Sequence, residues 1–213
     1  MRWLFETLAS SIGKKLLMAI TGLSFCGFLT AHLAGNLFIY SGGDAFNAYA
    51  ERLHSLGGLL TVAEFGLLFF AAVHITVGSL LVYGNFTARP HRYAVNKRAG
   101  GRSVGSATMP YTGFLLFLFV IFHLMNFHFV DKTHQTIYQI VFNAFQQPAY
   151  VLIYVAAMIV AAIHVSHGLW SAFQTLGASH DKYTPLVRGL SIVFSLIVGF
   201  GFGFLPIFIS LMA

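Results

Sequence analysis

Residues 149–173, AYVLIYVAAMIVAAIHVSHGLWSAF, contain no aspartate, glutamate, lysine or arginine. A helix needs about 20 predominantly apolar residues to cross the hydrocarbon core of a bilayer. A strand of a membrane β-barrel would instead alternate apolar and polar residues over about ten positions, whereas this run is continuously apolar. The stretch therefore predicts a transmembrane α-helix, and it places His164 well inside the membrane.

Four other apolar runs are long enough to cross a bilayer in the same way. Hydrophobic residues make up 57% of the 213 residues and charged residues only 8%, which is too few to cover a water-facing surface. The sequence therefore predicts an all-α integral membrane protein in which residues 1–213 form a single membrane domain, and neither a low-complexity segment nor a sequence repeat is evident. The five predicted spans are Leu16–Tyr40, Gly57–Tyr83, Tyr111–Val130, Ala149–Phe173 and Gly189–Met212.

The basic residues are unevenly distributed among the segments that join these spans. Ten of the twelve Lys and Arg residues lie in the N-terminal segment and in the second and fourth loops, and one each, Arg52 and Lys132, lies in the first and third loops. Because cytoplasmic loops carry the excess of Lys and Arg, we expect a cytoplasmic N-terminus and an external C-terminus. The net charge of +6 then reflects topology rather than nucleic-acid binding. The second loop is basic. Its charges are equally consistent with fixing the topology and with docking a partner on the cytoplasmic face.

Four of the ten histidines lie one per span, well inside the first four predicted spans: His32, His74, His123 and His164. A polar side chain at this depth is costly and is a functional hypothesis by default, although a single such histidine is more often a packing residue. Since successive helices alternate in direction, two of the four lie about 14 Å from the cytoplasmic ends and two about 10–12 Å from the outer ends. We call His74 and His164 the inner pair, and His32 and His123 the outer pair.

A haem iron that is ligated from both faces requires two imidazoles at one depth, on different helices. The first four helices are therefore expected to form a bundle around two b-type haems. His164 is favoured over His167 as the fourth ligand because its neighbours, such as Gly168, leave more room than Trp170 does. A zinc or di-iron site would instead gather its ligands at one depth, with carboxylates. A transporter or scaffold without haem, in which the histidines only pack, remains an alternative.

Two stretches resemble a known family. Thr21-Gly22-Leu23 with His32-Leu33-Ala34-Gly35-Asn36-Leu37 is similar to the first helix, and His164-Val165-Ser166-His167-Gly168-Leu169-Trp170 to the fourth, of the di-haem cytochrome b subunit of succinate:quinone oxidoreductases. This membrane-anchor subunit, of the five-helix single-anchor type, belongs to succinate dehydrogenases and quinol:fumarate reductases. The likeness covers the whole chain, from the five spans to the last helix without histidine.

The resemblance implies that His32 and His123 are axial iron ligands of an outer haem b, and His74 and His164 of an inner one. A flavoprotein subunit with FAD and an iron–sulfur subunit would dock on the cytoplasmic face of a bacterial cytoplasmic (inner) membrane, and the family allows a dimer of the complex. The chain would pass electrons between those subunits and a membrane quinone, typically menaquinone. It would serve the tricarboxylic acid cycle or anaerobic respiration as the quinone-reactive subunit, with the succinate chemistry on another subunit.

Quinone chemistry moves protons, so an acid or a histidine is expected near the outer haem. Glu64 is the one acid well inside a predicted span, and Glu51 and His54 lie in the loop before it. These three are the candidate proton-transfer residues, although an interfacial structural role suits Glu64 equally well. Some members of the family carry an acid two positions before the fourth-helix ligand, where this chain has Ala162. A transmembrane proton path by that route is therefore in doubt.

A second family also fits part of the pattern. The cytochrome b subunits of membrane formate dehydrogenases and hydrogenases likewise hold haems through histidine pairs on several helices. The placement of one candidate ligand on each of the first four spans favours the succinate:quinone family over this alternative.

Overall fold

The computed structural model describes residues 2–88 and 103–212. Within these ranges the chain forms α-helices and one short 3₁₀ helix and contains no β-strand, so the prediction of an all-α protein is confirmed. The 3₁₀ helix, Leu37–Ser41, continues directly from the second α-helix. The α-helices are α1 (Arg2–Ala9), α2 (Ser11–Asn36), α3 (Gly43–His54), α4 (Gly58–Thr87), α5 (Val104–Phe127), α6 (Ile137–Phe145), α7 (Pro148–Thr175) and α8 (Thr184–Ser210).

Five of these helices, α2, α4, α5, α7 and α8, are long and apolar enough to cross a membrane. They correspond one to one with the five predicted spans, and the chain is therefore a multi-pass membrane protein. Large apolar side chains remain exposed along them, such as Phe65 at 67%, Phe114 at 60% and Phe200 at 73%. In a bilayer these side chains contact the lipid tails, which is the environment that their apolar surface requires.

Capping residues, rather than the ends of the apolar runs, determine where α5 begins. The Ser103 side chain accepts a hydrogen bond from the backbone N–H of Ser106, and the Ser106 side chain accepts one from the backbone N–H of Ser103. This reciprocal capping box satisfies two N–H groups at the helix start. The helix consequently begins seven residues before the predicted Tyr111, and it ends three residues before the predicted Val130.

Three shorter helices, α1, α3 and α6, lie outside the five spans, where the sequence analysis predicts only connecting segments. The helix α3 occupies the first of these connections, so Glu51 and His54 lie on a helix rather than in a loop. It packs against α6, which occupies the third connection. Asn47 Oδ1 on α3 accepts the backbone N–H of Tyr138 on α6 at 3.0 Å. The two short helices therefore join the same end of the spanning bundle.

The first four spanning helices form a closed ring. The helix α2 packs against α4 and α7, and α5 also packs against α4 and α7. It follows that α2 lies diagonally opposite α5, and α4 diagonally opposite α7. The fifth span, α8, packs mainly along α7 and also contacts α2. The ring thus consists of the four helices that carry the inner and outer histidine pairs.

Small residues allow α7 and α8 to approach closely. A Cβ atom added to Gly199 on α8 would lie only 2.9 Å from the Cβ atom of Ala162 on α7. Ser195 and Val198, beside Gly199, are buried. Small residues at such contacts are typical of packed membrane helices. Ala162 therefore packs directly against α8 at Gly199.

We expect Gly199→Val to destabilise the protein, because the branched side chain must enter space that Ala162 fills. Overpacking of this kind typically costs about 1–3 kcal/mol, which thermal unfolding in detergent should report as a lower Tm. Gly66→Val on α4 is the control, since a Cβ atom at Gly66 meets nothing within 4 Å. Equal losses of Tm in the two variants would contradict the close contact between α7 and α8.

Candidate functional site

The two inner histidines make the same kind of contact in two places. His74 on α4 has its Nδ1 atom 2.8 Å from the hydroxyl oxygen of Thr21 on α2. His164 on α7 has its Nδ1 atom 3.1 Å from the hydroxyl oxygen of Thr112 on α5. Both threonines are buried, with 2% and 6% of their surface exposed. Because Nδ1 is engaged in each ring, Nε2 is the nitrogen that remains for a ligand.

The outer histidines come together across the bundle. The ring centroids of His32 and His123 are 5.9 Å apart, and the two ring planes are at 88° to each other. His32 packs against the rings of Phe28 and Phe202, with centroid distances of 5.1 Å and 5.4 Å. The Nδ1 atom of His123 lies 3.4 Å from the hydroxyl oxygen of the buried Tyr154. The predicted outer pair is therefore assembled, and its two rings have different surroundings.

A buried polar atom near the outer pair was not predicted from the sequence. Asn126 follows His123 by three residues on α5. Its side-chain nitrogen Nδ2 is buried and has no hydrogen-bond partner among the residues that the structure describes. Because a buried amide nitrogen without a partner is unfavourable, this atom is a donor available to a ligand at the outer level.

The two histidine pairs lie at different levels along the bundle. Thr21, which contacts the inner pair, and His32 are eleven positions apart on α2. Thr112 and His123 are likewise eleven positions apart on α5. At 1.5 Å per residue, each helix places the two levels about 16 Å apart.

The separation of the outer rings fits two imidazoles that would share one haem iron. An imidazole nitrogen binds a metal at about 2 Å, so two rings on opposite faces of one iron have centroids roughly 6 Å apart. The 5.9 Å between the outer rings is close to that value. Both pairs stand on diagonally opposite helices, and bundles build cofactor sites from side chains on facing helices. Within residues 2–88 and 103–212, no three His, Cys, Asp or Glu side chains cluster as a metal site would need.

Glycines beside the threonines also contact the inner imidazoles in both places. A Cβ atom added to Gly22 on α2 would lie 3.6 Å from Cε1 of His74. A Cβ atom added to Gly113 on α5 would lie 3.5 Å from Cε1 of His164. A threonine and the glycine after it therefore contact the histidine in the same way where α2 packs on α4 and where α5 packs on α7.

The residues that make these contacts belong to a sequence repeat. The pattern M-x-x-T-G, followed after nine residues by H-L, occurs at residues 18–33 and again at 109–124. The pattern A-A-[VI]-H-[IV]-[ST]-x-G occurs at residues 71–78 and again at 161–168. The expectation that the chain has no sequence repeat is therefore wrong. The repeat is hard to see because the residues between its fixed positions are ordinary apolar residues of membrane helices.

The repeat gives an independent reason for the histidine pairing. The two copies run in the same direction, as in membrane proteins whose parallel repeats are related by an axis along the membrane normal. Such an axis exchanges α2 with α5 and α4 with α7, so it exchanges His32 with His123 and His74 with His164. Each pair thus consists of equivalent residues from the two copies. This signal would also have identified Thr21 and Thr112, which the sequence analysis did not single out for a role.

His167, the alternative to His164, contacts other residues. Its Nδ1 atom lies 3.4 Å from the hydroxyl oxygen of Ser103, at the start of α5. Its ring packs edge-on against Trp170 at a centroid distance of 5.3 Å. These contacts account for His167 as a packing residue near one end of the bundle.

The three candidate proton-transfer residues all lie on the surface of the described chain. Glu64 is exposed on α4, and the neighbouring Phe65 is exposed as well. Glu51 and His54 are exposed on α3, and the Nδ1 atom of His54 lies 2.7 Å from the backbone oxygen of Ala50 in the same helix. Glu64 therefore faces outward from the ring of helices, towards lipid or a bound molecule.

The candidate site consists of two histidine pairs, each across one diagonal of a four-helix ring and each made of equivalent residues from a sequence repeat. Their polar partners are two threonines at the inner level and a tyrosine at the outer level. No protein-family model matches the chain, and no curated protein or solved structure matches it either.

Proposed function

We propose that the chain is the membrane-anchor cytochrome b subunit of a succinate dehydrogenase or quinol:fumarate reductase complex. In this role it transfers electrons between a membrane quinone and an iron–sulfur subunit. The observation that carries the proposal is the arrangement of the four histidines as two diagonal pairs at levels about 16 Å apart along one bundle. The likeness of the first and fourth spanning helices to that family supports the choice of complex.

The histidines hold and orient the cofactors in this proposal. His74 and His164 bind one b-type haem, and His32 and His123 bind the other. When bound, the haems supply one-electron transfer. The ring formed by α2, α4, α5 and α7 keeps water away from both levels, because these helices present mostly apolar residues. Asn126, three residues after His123, holds a buried amide nitrogen close to the outer level.

The distribution of basic residues supports the orientation. Lys14, Lys15 and Arg188 lie at the same end of the spanning helices, which is the cytoplasmic end by the positive-inside rule. We therefore propose a bacterial cytoplasmic membrane, with the iron–sulfur and FAD-bearing subunits docked beside the inner pair. A quinone, menaquinone in this proposal, reacts near the outer pair, and succinate or fumarate is converted on the flavoprotein subunit. A proton path through position 162 is not part of the proposal, because Ala162 is packed against Gly199.

The ligand assignment predicts which substitutions share an effect. His74→Ala and His164→Ala should each remove the inner haem, and His32→Ala and His123→Ala should each remove the outer haem, because each iron needs both of its histidines. A redox titration of the purified variants, followed by haem absorbance, measures this. His167→Ala is the control and should keep both haems. Loss of the same haem from His32→Ala and His74→Ala would contradict the pairing.

The choice of complex predicts which subunits accompany the chain. Extracted from its own membranes in a mild detergent, it should co-purify with a subunit that carries FAD and with one that carries iron–sulfur clusters. The preparation should oxidise succinate with a soluble dye as acceptor. Co-purification with a formate dehydrogenase or hydrogenase activity would contradict this choice of complex but would not contradict the two haem sites.

Glu64→Gln should keep both haems and slow quinone-linked turnover, because the amide cannot exchange a proton with a quinol. Succinate oxidation with a soluble dye, which bypasses the quinone, should not change. Glu51→Gln and His54→Gln are the comparison variants on α3. If quinone-linked turnover is unchanged in Glu64→Gln and falls in a comparison variant, the proton-transfer role belongs to α3.

A further inference from the structure

The threonines beside the inner histidines have a role beyond packing. We propose that Thr21 and Thr112 are positioning residues that select the tautomer of His74 and His164 in which Nδ1 carries the proton and Nε2 is free to bind iron. This inference rests on the proposed function, since it concerns how the chain holds the inner haem.

A second contact of each hydroxyl favours one direction for its hydrogen bond to the imidazole. Thr21 Oγ1 donates to the backbone oxygen of Leu17 at 2.7 Å, and Thr112 Oγ1 donates to that of Thr108 at 3.1 Å. A carbonyl oxygen only accepts, and a threonine hydroxyl has a single proton. With that proton directed to its own helix, the hydroxyl presents a lone pair to the imidazole. The Nδ1–H group of the neighbouring histidine then donates to it.

The opposite direction is incompatible with iron binding at Nε2. If a threonine donated to Nδ1, the neutral ring would carry its proton on Nε2 and would have no lone pair there for a metal. Histidines that bind metals almost always donate their other N–H group to an acceptor, which fixes the orientation of the ring and raises its basicity as a ligand. The hydroxyl of each threonine is therefore placed as this acceptor.

The same arrangement is built twice, from different helices. Thr21 meets His74 at 2.8 Å and Thr112 meets His164 at 3.1 Å, and each threonine is followed by the glycine that faces Cε1 of the same ring. The outer rings have other surroundings, since His123 meets a tyrosine hydroxyl and His32 packs between phenylalanines. Substitution of the threonines should therefore affect the inner haem and leave the outer haem unchanged.

Thr21→Val and Thr112→Val test the proposal, because valine keeps the shape of the side chain and removes the hydroxyl. We expect the affinity for the inner haem to fall by about 10–100-fold, as it does when such partners of metal ligands are lost. The midpoint potential of the inner haem that remains should rise, since a less basic ligand stabilises the oxidised iron less. Thr21→Ser, which keeps the hydroxyl, should restore both values. Haem content and a redox titration in detergent measure these effects without any turnover assay.

Thr30→Val is the matched control on the same helix. Thr30 is exposed, and its hydroxyl donates to the backbone oxygen of Cys26 at 2.9 Å, so the variant should keep both haems at their original potentials. Unchanged content and potential of the inner haem in both valine variants would contradict the proposal. Equal loss of the two haems would contradict it as well, because that result indicates a general structural role. A purified wild-type chain without haem would instead contradict the proposed function. Failure of the proposed function can therefore be distinguished from failure of the proposed role of the threonines.

Discussion

An imidazole inside a bilayer has two nitrogen atoms that need partners, and the surrounding hydrocarbon offers none. The helices of this protein supply one partner for three of the four central rings: a threonine hydroxyl for His74, another for His164, and a tyrosine hydroxyl for His123. In each case the partner meets Nδ1, which leaves Nε2 for a ligand. In the proposed function, one iron held between the two rings of a pair would bind the Nε2 atoms of both.

The sequence repeat determines where these pairs can form. Two copies of an antiparallel helix pair, α2 with α4 and α5 with α7, assemble so that equivalent helices stand diagonally opposite each other. Equivalent histidines then lie at the same level on diagonally opposite helices, His32 with His123 at one level and His74 with His164 at the other. The symmetry is only approximate. The inner level keeps the same Thr–Gly contact in both copies, while the outer level has diverged to phenylalanines on one side and a tyrosine on the other.

The spans and the two histidine levels could be predicted because they depend on composition and on counting along a helix. The start of α5 could not, because Ser103 and Ser106 cap it outside the apolar run. The roles of Thr21 and Thr112 were missed because a hydrogen bond between helices leaves no periodic signal in either helix alone. Glu64 illustrates the remaining limit: its depth follows from the sequence, but its exposure depends on how α4 is rotated in the bundle. Comparing the two halves of the chain would have supplied the missing information on the threonines.

The central claim is that each diagonal histidine pair holds one haem. The most direct test is the haem content of the purified wild-type chain, determined as the pyridine haemochrome and divided by the amount of polypeptide. The account predicts two b-type haems per chain. A value near zero would contradict it and would leave the histidines as packing residues, and a value near one would contradict the equivalence of the two levels.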